Sequence, residues 1–533
     1  MSDASGSSFS TIDRIFYDIN SSSSGSKRAE ITSLMTIMIV KDNLPLHTVN
    51  GEGFRSLMKS VAPHFPVPDR KTIRRKIDRI YAQMVELKKR EMKNVKHLAL
   101  TFDLWKDSYN NTSYLGVTGH HIKDWNLNSL LLSCSIQTER HTSVNICKSL
   151  DEILSFWEID KSKITACVTD NGANVKKAVT DWIGSSKHLP CFAHTLNLVV
   201  KDAIEDSGNF KEILTKVRTI IQYFKQSGPA ADELRKVQPS NRILKVKQDV
   251  ETRWNSSYLM LNRYIELKDY INLALSHLVD APTQITGAEN EVISDGLRIL
   301  KPFFSITEEM SAEKVVTLSK VIPIQYYLRQ GLSEMKLATQ IGSLLQQSLI
   351  QGLEVRFINV QKNMIATIAT ILDPRFKKMN IELPESLSRA LAKLNGILPS
   401  TTPPPTQEQS DEEETEDDVW AIHDRLANQQ KRNEPVPADI LSSKLKTYLS
   451  TPLENRKADP LKIWSQIQCT YWEVSQIVPI YLCVPATSVP SERLFSKAGA
   501  TMNQRRCSMS PETLNKILFL NSLQLDELKT CVN

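Results

Sequence analysis

The 533-residue chain predicts an α/β fold, a mixed β-sheet backed by helices, with a helical N-terminal region before it and a long all-helical stretch after it. Three observations carry this expectation. Between residues 97 and 192 the apolar residues change from helical spacing to alternation. Three alternating segments lie close together before the first intervening helix, and a fourth follows it. From about residue 210 to 395 the pattern is helical almost throughout.

Composition sets the outer bounds. Hydrophobic residues make up 41% and charged residues 24%, which suits an ordinary globular protein of two to four domains. No run of 18 or more apolar residues is present, so no membrane span is expected. The Ser-rich, acidic start differs from a cleaved signal or a transit peptide, and an intracellular protein is expected. The eight cysteines form no CxxC pair, so neither a disulfide framework nor a structural zinc site is expected. The net charge is +6, yet eight acids crowd between Glu408 and Asp418, which leaves the rest of the chain more basic. That balance suits a polyanion-binding protein.

The elements follow in order. Residues 1–27, with Ser21 to Ser24, lack apolar period and are expected to be disordered. Residues 28–95 form a helical N-terminal region. Its first part, 28–62, has Ile31, Leu34, Met35 and Met38 at helical spacing, and Pro66-Val67-Pro68 ends it. Asp69 is an N-cap candidate for a helix running to Lys93. One stripe of that helix is apolar (Ile73, Ile77, Ile80, Met84, Leu87), while Arg70, Lys71, Arg74 and Arg75 lead its ten basic residues. Those cations suit DNA phosphates. A solvated charged face is the equally simple reading.

Residues 96–254 make up the first part of the sheet core. Leu98, Leu100 and Phe102 share one face of a first strand that ends at Asp103. Strands over 112–121 and 125–136 complete a meander. A helix over 143–157 carries Val144, Leu150, Ile153, Leu154 and Trp157. An apolar strand over 163–169 then ends at Asp170, and Asn171-Gly172 turns into a helix over 173–183. A short strand near 189–192 and a helix over 194–204 follow. Three meander strands with a fourth joined after a helical crossover are the arrangement of ribonuclease H.

Beyond the core, Ile213, Val217, Ile220, Ile221 and Phe224 mark one helix, and Met364, Ile365, Ile368 and Ile371 another. Residues 399–437, with Pro403 to Pro405 and the acidic run, read as a disordered linker. Helices resume over 464–478. A last helix is capped by Ser510, with Pro511 at its first position and Leu514, Ile517 and Leu518 on its apolar side.

In a ribonuclease-H-type sheet the first and fourth strands are neighbours, so Asp103 and Asp170 would project from one edge. Carboxylates converging there can hold two divalent ions roughly 3.5–4 Å apart, with a phosphate oxygen between them. Taken singly, Asp170 before Asn171-Gly172 is more often a turn residue, and spacing alone does not choose a third acid.

Six stretches add a resemblance. They are Thr101-Phe102-Asp103-Leu104-Trp105, Val168 to Asn174, Cys191-Phe192-Ala193-His194, Arg253-Trp254-Asn255-Ser256, Leu372-Asp373-Pro374-Arg375-Phe376-Lys377, and Pro490-Ser491-Glu492-Arg493-Leu494-Phe495-Ser496. In this order they resemble the landmarks of hAT transposases, over residues 30 to 525. The resemblance implies that Asp103, Asp170 and Glu492 are the catalytic acids, holding Mg²⁺ or Mn²⁺ if catalysis is retained. It implies a large all-α insertion domain over 255–470 that interrupts the core, with the end of the core over 471–533. An overlapping segment, 441–523, resembles the hAT C-terminal dimerisation segment, and its apolar helices (Ile477, Val478, Ile480, Leu482; Leu514, Ile517, Leu518) would either meet a partner copy or pack internally.

By the same resemblance Trp254 is a platform for a flipped DNA base, with Arg253 on a nearby phosphate; a buried core Trp is the alternative. Cys191 and His194 resemble the family's CxxH element and are expected to be structural or DNA-proximal. The departure from the family is the BED zinc finger. Before residue 97 there is no Cys, and only His47 and His64 are present. The expected function is that of a nuclear, DNA-binding, dimerising transposase-derived protein, with metal-dependent strand cleavage as its enzymatic form. A domesticated, noncatalytic DNA- or chromatin-associated regulator is the alternative, and an interaction scaffold a third.

Overall fold

Strand β1 (Leu98–Asp107) lies in the middle of a five-stranded sheet ordered β3-β2-β1-β4-β5. In this computed structural model the described residues are 24–63, 65–107, 111–398, 442–501 and 509–530. The Ser-rich start as far as residue 23 and the linker expected over 399–437 lie outside them. β2 (Thr112–Lys123) pairs antiparallel with β1, and β3 (Asn126–Gln137) pairs antiparallel with β2. β4 (Ile164–Thr169) joins β1 in parallel, and β5 (His188–Pro190) joins β4 in parallel. A mixed sheet is the one expected from the alternation pattern, and β1 beside β4 is the neighbour relation of the ribonuclease H arrangement.

The helices before and within the sheet region are α1 (Ser24–Lys41), α2 (Glu52–Val61), α3 (Arg70–Lys93), α4 (Ser143–Phe156), α5 (Ala173–Ile183) and α6 (Phe192–Asp206). After them come α7 (Gly208–Gln226), α8 (Gly228–Lys236), α9 (Trp254–Ser276), α10 (Gly287–Met310), α11 (Val321–Glu334), α12 (Gln340–Phe357), α13 (Met364–Ile371) and α14 (Pro384–Ile397). The chain then continues with α15 (Ser443–Ser450), α16 (Pro460–Ile467), α17 (Trp472–Ser475), α18 (Val478–Leu482), α19 (Val489–Thr501), α20 (Pro511–Ser522) and α21 (Leu525–Lys529). Among the described residues no helix is long and apolar enough to cross a membrane.

The sheet separates two apolar cores, and the period of two decides which side chain enters which. Leu98, Leu100 and Phe102 face one core, shared with α1, α3, α4, α5 and α20. Ala99 faces the other with Ala166 and Val168, against α6 to α18. β3 would be a bare edge, but side chains cap part of it. Asn515 accepts a hydrogen bond from the Cys134 amide (2.8 Å), and the Trp157 indole donates to the Leu132 carbonyl (2.8 Å).

Local signals explain most helix ends. Asp69 caps α3 by accepting from the Thr72 amide at 2.8 Å, and Ser510 caps α20 with Pro511 next. Several expectations need correction. β1 runs on to Asp107, because β2 pairs with it as far as Asp107↔Thr112. The first helix starts at Ser24, inside the segment expected to be disordered, and the stretch to residue 62 forms two helices with a 3-10 turn (Leu46–Asn50) at Pro45, which cannot continue a helix. Leu34, Leu87 and Val144 are exposed; Ile37, Val85 and Ile146 are the residues turned inward. The fifth strand is three residues long, since Cys191 already caps α6.

The C-terminal apolar stripes also pack within this chain. Leu514, Ile517 and Leu518 fill the core of α1 and α3, while Ile477, Val478 and Leu482 fill the other. Polar contacts lock that arrangement: Lys41 donates to the Asn521 and Leu523 carbonyls, and Lys88 pairs with Glu527. Those side chains are therefore not free to meet a partner copy. The Leu372 to Lys377 stretch is likewise a structural knot. Buried Asp373 and Arg375 pair through two hydrogen bonds, and Arg375 also donates to the Ala458 carbonyl.

Candidate active site

The register of two parallel strands sets the first two acids. Thr101 of β1 is level with Val168 of β4, so Asp103, two residues on in β1, and Asp170, just past the end of β4, fall at the same end of the sheet. β1 pairs with β4 no further than Thr101, and beyond that point the β4 chain turns away. Asp170 makes that turn by accepting from the Gly172 amide at 3.1 Å, which starts α5. Asp103 accepts from the Leu104 amide at 2.8 Å and faces Gly116 across β2.

The third acid comes from far along the chain. Glu492 sits in the first turn of α19. Just before it, the Ser491 hydroxyl lies 3.1 Å from the Thr101 hydroxyl on β1. Just after it, Phe495 lies over Gly116, where an added Cβ would stand 2.8 Å from the Phe495 ring. Glycine is needed there for close approach, not for backbone freedom. Trp105 stacks on Phe495 with centroids 5.6 Å apart.

Asp103, Asp170 and Glu492 line one cleft of about 690 Å³ with His194, Arg253 and Trp254. Loss of hydration first, then the negative charges of Asp170 and Glu492, pushes the Asp103 carboxyl up to about 7. Glu492 is solvent-touched at the rim but crowded by protein, and desolvation raises its pKa against the pull of Arg253 and His194. Carboxylates that repel one another in a cleft fit the donor set of a hard divalent cation. Among the described residues, however, no three such side chains meet as a ready-made metal cluster.

The remaining candidates fall in different places. Arg253 is exposed at the start of α9, facing the cleft beside Glu492. Trp254 is only 4% exposed and packs edge-on against Phe303, so it sits as a core residue with little free ring for stacking. Cys191 is fully buried, and its Sγ accepts from the His194 amide (3.5 Å) and the Ser488 amide (3.3 Å). With the Phe192 amide on the Ala486 carbonyl, it clamps the loop that leads into α19. Arg70, Lys71, Arg74 and Arg75 are exposed on α3, on a different element from the cleft.

Sequence reasoning missed Thr101, Gly116, His120 and Ser491. His120 is fully buried between Thr101 Oγ1 (3.1 Å from Nε2) and Ser129 Oγ (2.9 Å from Nδ1). The one available signal was a polar Thr101 among apolar strand neighbours, one residue before Phe102-Asp103.

Comparison with known proteins agrees with this architecture. Residues 101–189 match the ZBED1 RNase-like domain, 189–295 the ZBED1 RNase-like helical domain, and 444–523 the hAT family C-terminal dimerisation region. The chain is 26% identical over 545 residues to the human Zinc finger BED domain-containing protein 4, covering 96% of this chain and 45% of that one. It is 27% identical over 536 residues to a Putative AC transposase of Zea mays, covering 92% of this chain and 65% of that one. A Putative transcriptional regulator tpeD of Talaromyces stipitatus is 24% identical, with 92% and 62% covered. The chain thus spans less than two thirds of the length of these relatives. With three family models matched in order along a five-stranded mixed sheet, the chain is similar to hAT-type transposase-like proteins over residues 101–295 and 444–523.

Proposed function

We propose that this is a nuclear, DNA-binding, homodimeric protein of transposase descent that cleaves and transfers DNA strands at Asp103, Asp170 and Glu492. One observation carries the reading: three carboxylates from β1, the turn after β4 and α19 line a single cleft, and mutual repulsion helps raise Asp103 to about 7. On this reading the helices over 255–470, α9 to α16, form an insertion that interrupts the core and delivers α19 to β1. Mg²⁺ or Mn²⁺, held by these three residues, would activate the attacking oxygen and stabilise the departing one. The carboxylates bind and orient, Arg253 holds a phosphate at the rim, and His194 adds a second polar contact to the strand. Homodimerisation rests on the match of residues 444–523, through surface other than the buried stripes.

The test is Mn²⁺-dependent nicking of labelled DNA carrying candidate element ends. Activity in the wild type that disappears in both Asp170→Ala and Glu492→Ala supports the reading. No cleavage at any metal concentration, with DNA binding and dimerisation intact, favours a noncatalytic regulator. The lack of a preassembled three-ligand cluster among the described residues and the burial of Trp254 speak for that second reading.

A further inference from the structure

A second cleft lies at the opposite end of β1 from the acids. It encloses about 620 Å³ between the last turn of α3, the start of β1, the β2–β3 hairpin and the α17–α18 corner. His97, just before β1, and Asp103 are six positions apart along an extended chain, so the two clefts are on the order of 20 Å apart. The floor is apolar, from Val95, Ile122 and the half-buried Trp125. The rim is cationic, from Arg90, Lys96 and Lys123.

These three cations differ from their neighbours. Lys88 pairs with Glu91 and Glu527, while Lys89 and Lys93 both pair with Glu158. Arg90, Lys96 and Lys123 have no acidic partner within ion-pair distance among the described residues. Glu91, the acid on the rim, is engaged by Lys88. Three uncompensated positive charges around an apolar floor are complementary to a ligand with an anionic edge and flat apolar groups.

Helix geometry extends the complementarity. At 3.6 residues per turn, Lys71, Arg75 and Arg79 lie on the same face of α3 as Arg90, and all four are exposed; Glu86, which Lys89 approaches at 4.0 Å, is the one acid on that face between Arg79 and Arg90. The stripe runs roughly 30 Å at about 1.5 Å per residue before it reaches the cleft. A regularly charged strand matches such a track better than a compact anion does.

We propose that this cleft is a second nucleic-acid site, which holds a DNA strand by its phosphates on Arg90, Lys96 and Lys123 with bases over the Trp125 floor. The proposal rests on the reading of the protein as DNA-acting, but it does not require cleavage. It gives the protein a grip on DNA remote from the acids.

Lysine acetylation of the full-length wild type, with and without a 20-nucleotide single strand, tests it directly. Lys96 and Lys123 should be protected by the strand while exposed Lys301 on α10 is not. In fluorescence anisotropy, the combined R90E, K96E and K123E variant should bind more weakly. Its salt dependence should be shallower by roughly 2 in log–log slope, about 0.7 per lost single-strand phosphate contact. Equal acetylation with and without DNA, or an unchanged slope, overturns the site. So does protection by a poly-Glu peptide but not by DNA. Asp170→Ala separates the two readings: even where it abolishes nicking, Lys96 and Lys123 should still be protected by the strand, so failure of the cleavage reading and failure of this site are distinguishable.

Discussion

Thr101 Oγ1 and Ser491 Oγ stand 3.1 Å apart although 390 residues separate them, and this contact ties α19 to the central strand of the sheet. Behind it, His120 bridges Thr101 to Ser129, so three strands and one helix share a single polar chain. Glu492 follows Ser491 directly. Its position relative to Asp103 is therefore set by hydroxyls, not by a carboxylate contact.

Ser491→Ala removes that tie. Loss of one buried hydrogen bond should cost about 1 kcal/mol of stability. The larger effect should fall on the site, with a roughly 10–100-fold loss of Mn²⁺ affinity or nicking, as expected when a supporting contact behind a ligand is removed. Ser491→Thr, which keeps the hydroxyl, should recover much of it. Equal nicking by all three proteins would show that the contact does not place Glu492.

Gly116→Ala tests the other anchor. The added methyl meets Phe495 at 2.8 Å, so either the ring or α19 must shift. Overpacking of this kind costs about 1–3 kcal/mol. Thermal unfolding should show that loss, and Phe495→Leu in the same chain should return part of it. A Gly116→Ala protein with unchanged melting temperature would contradict the close approach.

The pH dependence has two opposing parts. His120 is held down to about 3 by burial and then by His121. An unfolded histidine takes up a proton below about 6.5, while the folded one stays neutral down to about 3. The native state therefore loses stability from this group as pH falls from 6.5 to 3. Asp103 acts in the other direction. Its folded carboxyl binds a proton below about 7, the unfolded one only below 3.8, so this group favours the native state as pH falls from 7 to 3.8. Carboxyl NMR titration should find the Asp103 midpoint near 7, and lower in Asp170→Asn, which removes a repelling charge. A midpoint near 4 in both proteins would rule out the crowding of charge in the cleft.

The Asp373–Arg375 pair is expected to matter for stability. Both side chains are essentially inaccessible, and Ser319 also donates to Asp373 at 2.6 Å. Removing one partner leaves an uncompensated buried charge, at about 3–5 kcal/mol. Denaturant unfolding of Arg375→Met should show it. An Arg375→Met protein as stable as the wild type would mean that the knot is not stabilising.

Much of the architecture was legible in the residues themselves. Alternation at Leu98, Leu100 and Phe102 predicted a strand and the face it buries, because a period of two has one geometrical meaning. Asp69 and Ser510 marked helix starts through local hydrogen bonds that need no tertiary partner. The strand pattern placed Asp103 and Asp170 toward one end of the sheet, although β1 runs on past Asp103 to Asp107 and pairs with β4 no further than Thr101↔Val168.

Other features depended on what the chain meets far away. Whether Leu514, Ile517 and Leu518 face a partner or this chain's own core is not encoded in their spacing; α1, α3 and β3 decide it by covering them. Trp254 is aromatic in either role, and Phe303 beside it makes it a core residue. Glu492 joins the acids only because Ser491 reaches Thr101 and Gly116 leaves room for Phe495. Local patterning thus determined the elements and their buried faces, since those follow from backbone periodicity. The tertiary structure alone decided which distant side chains share a cleft, since that depends on contacts hundreds of residues apart.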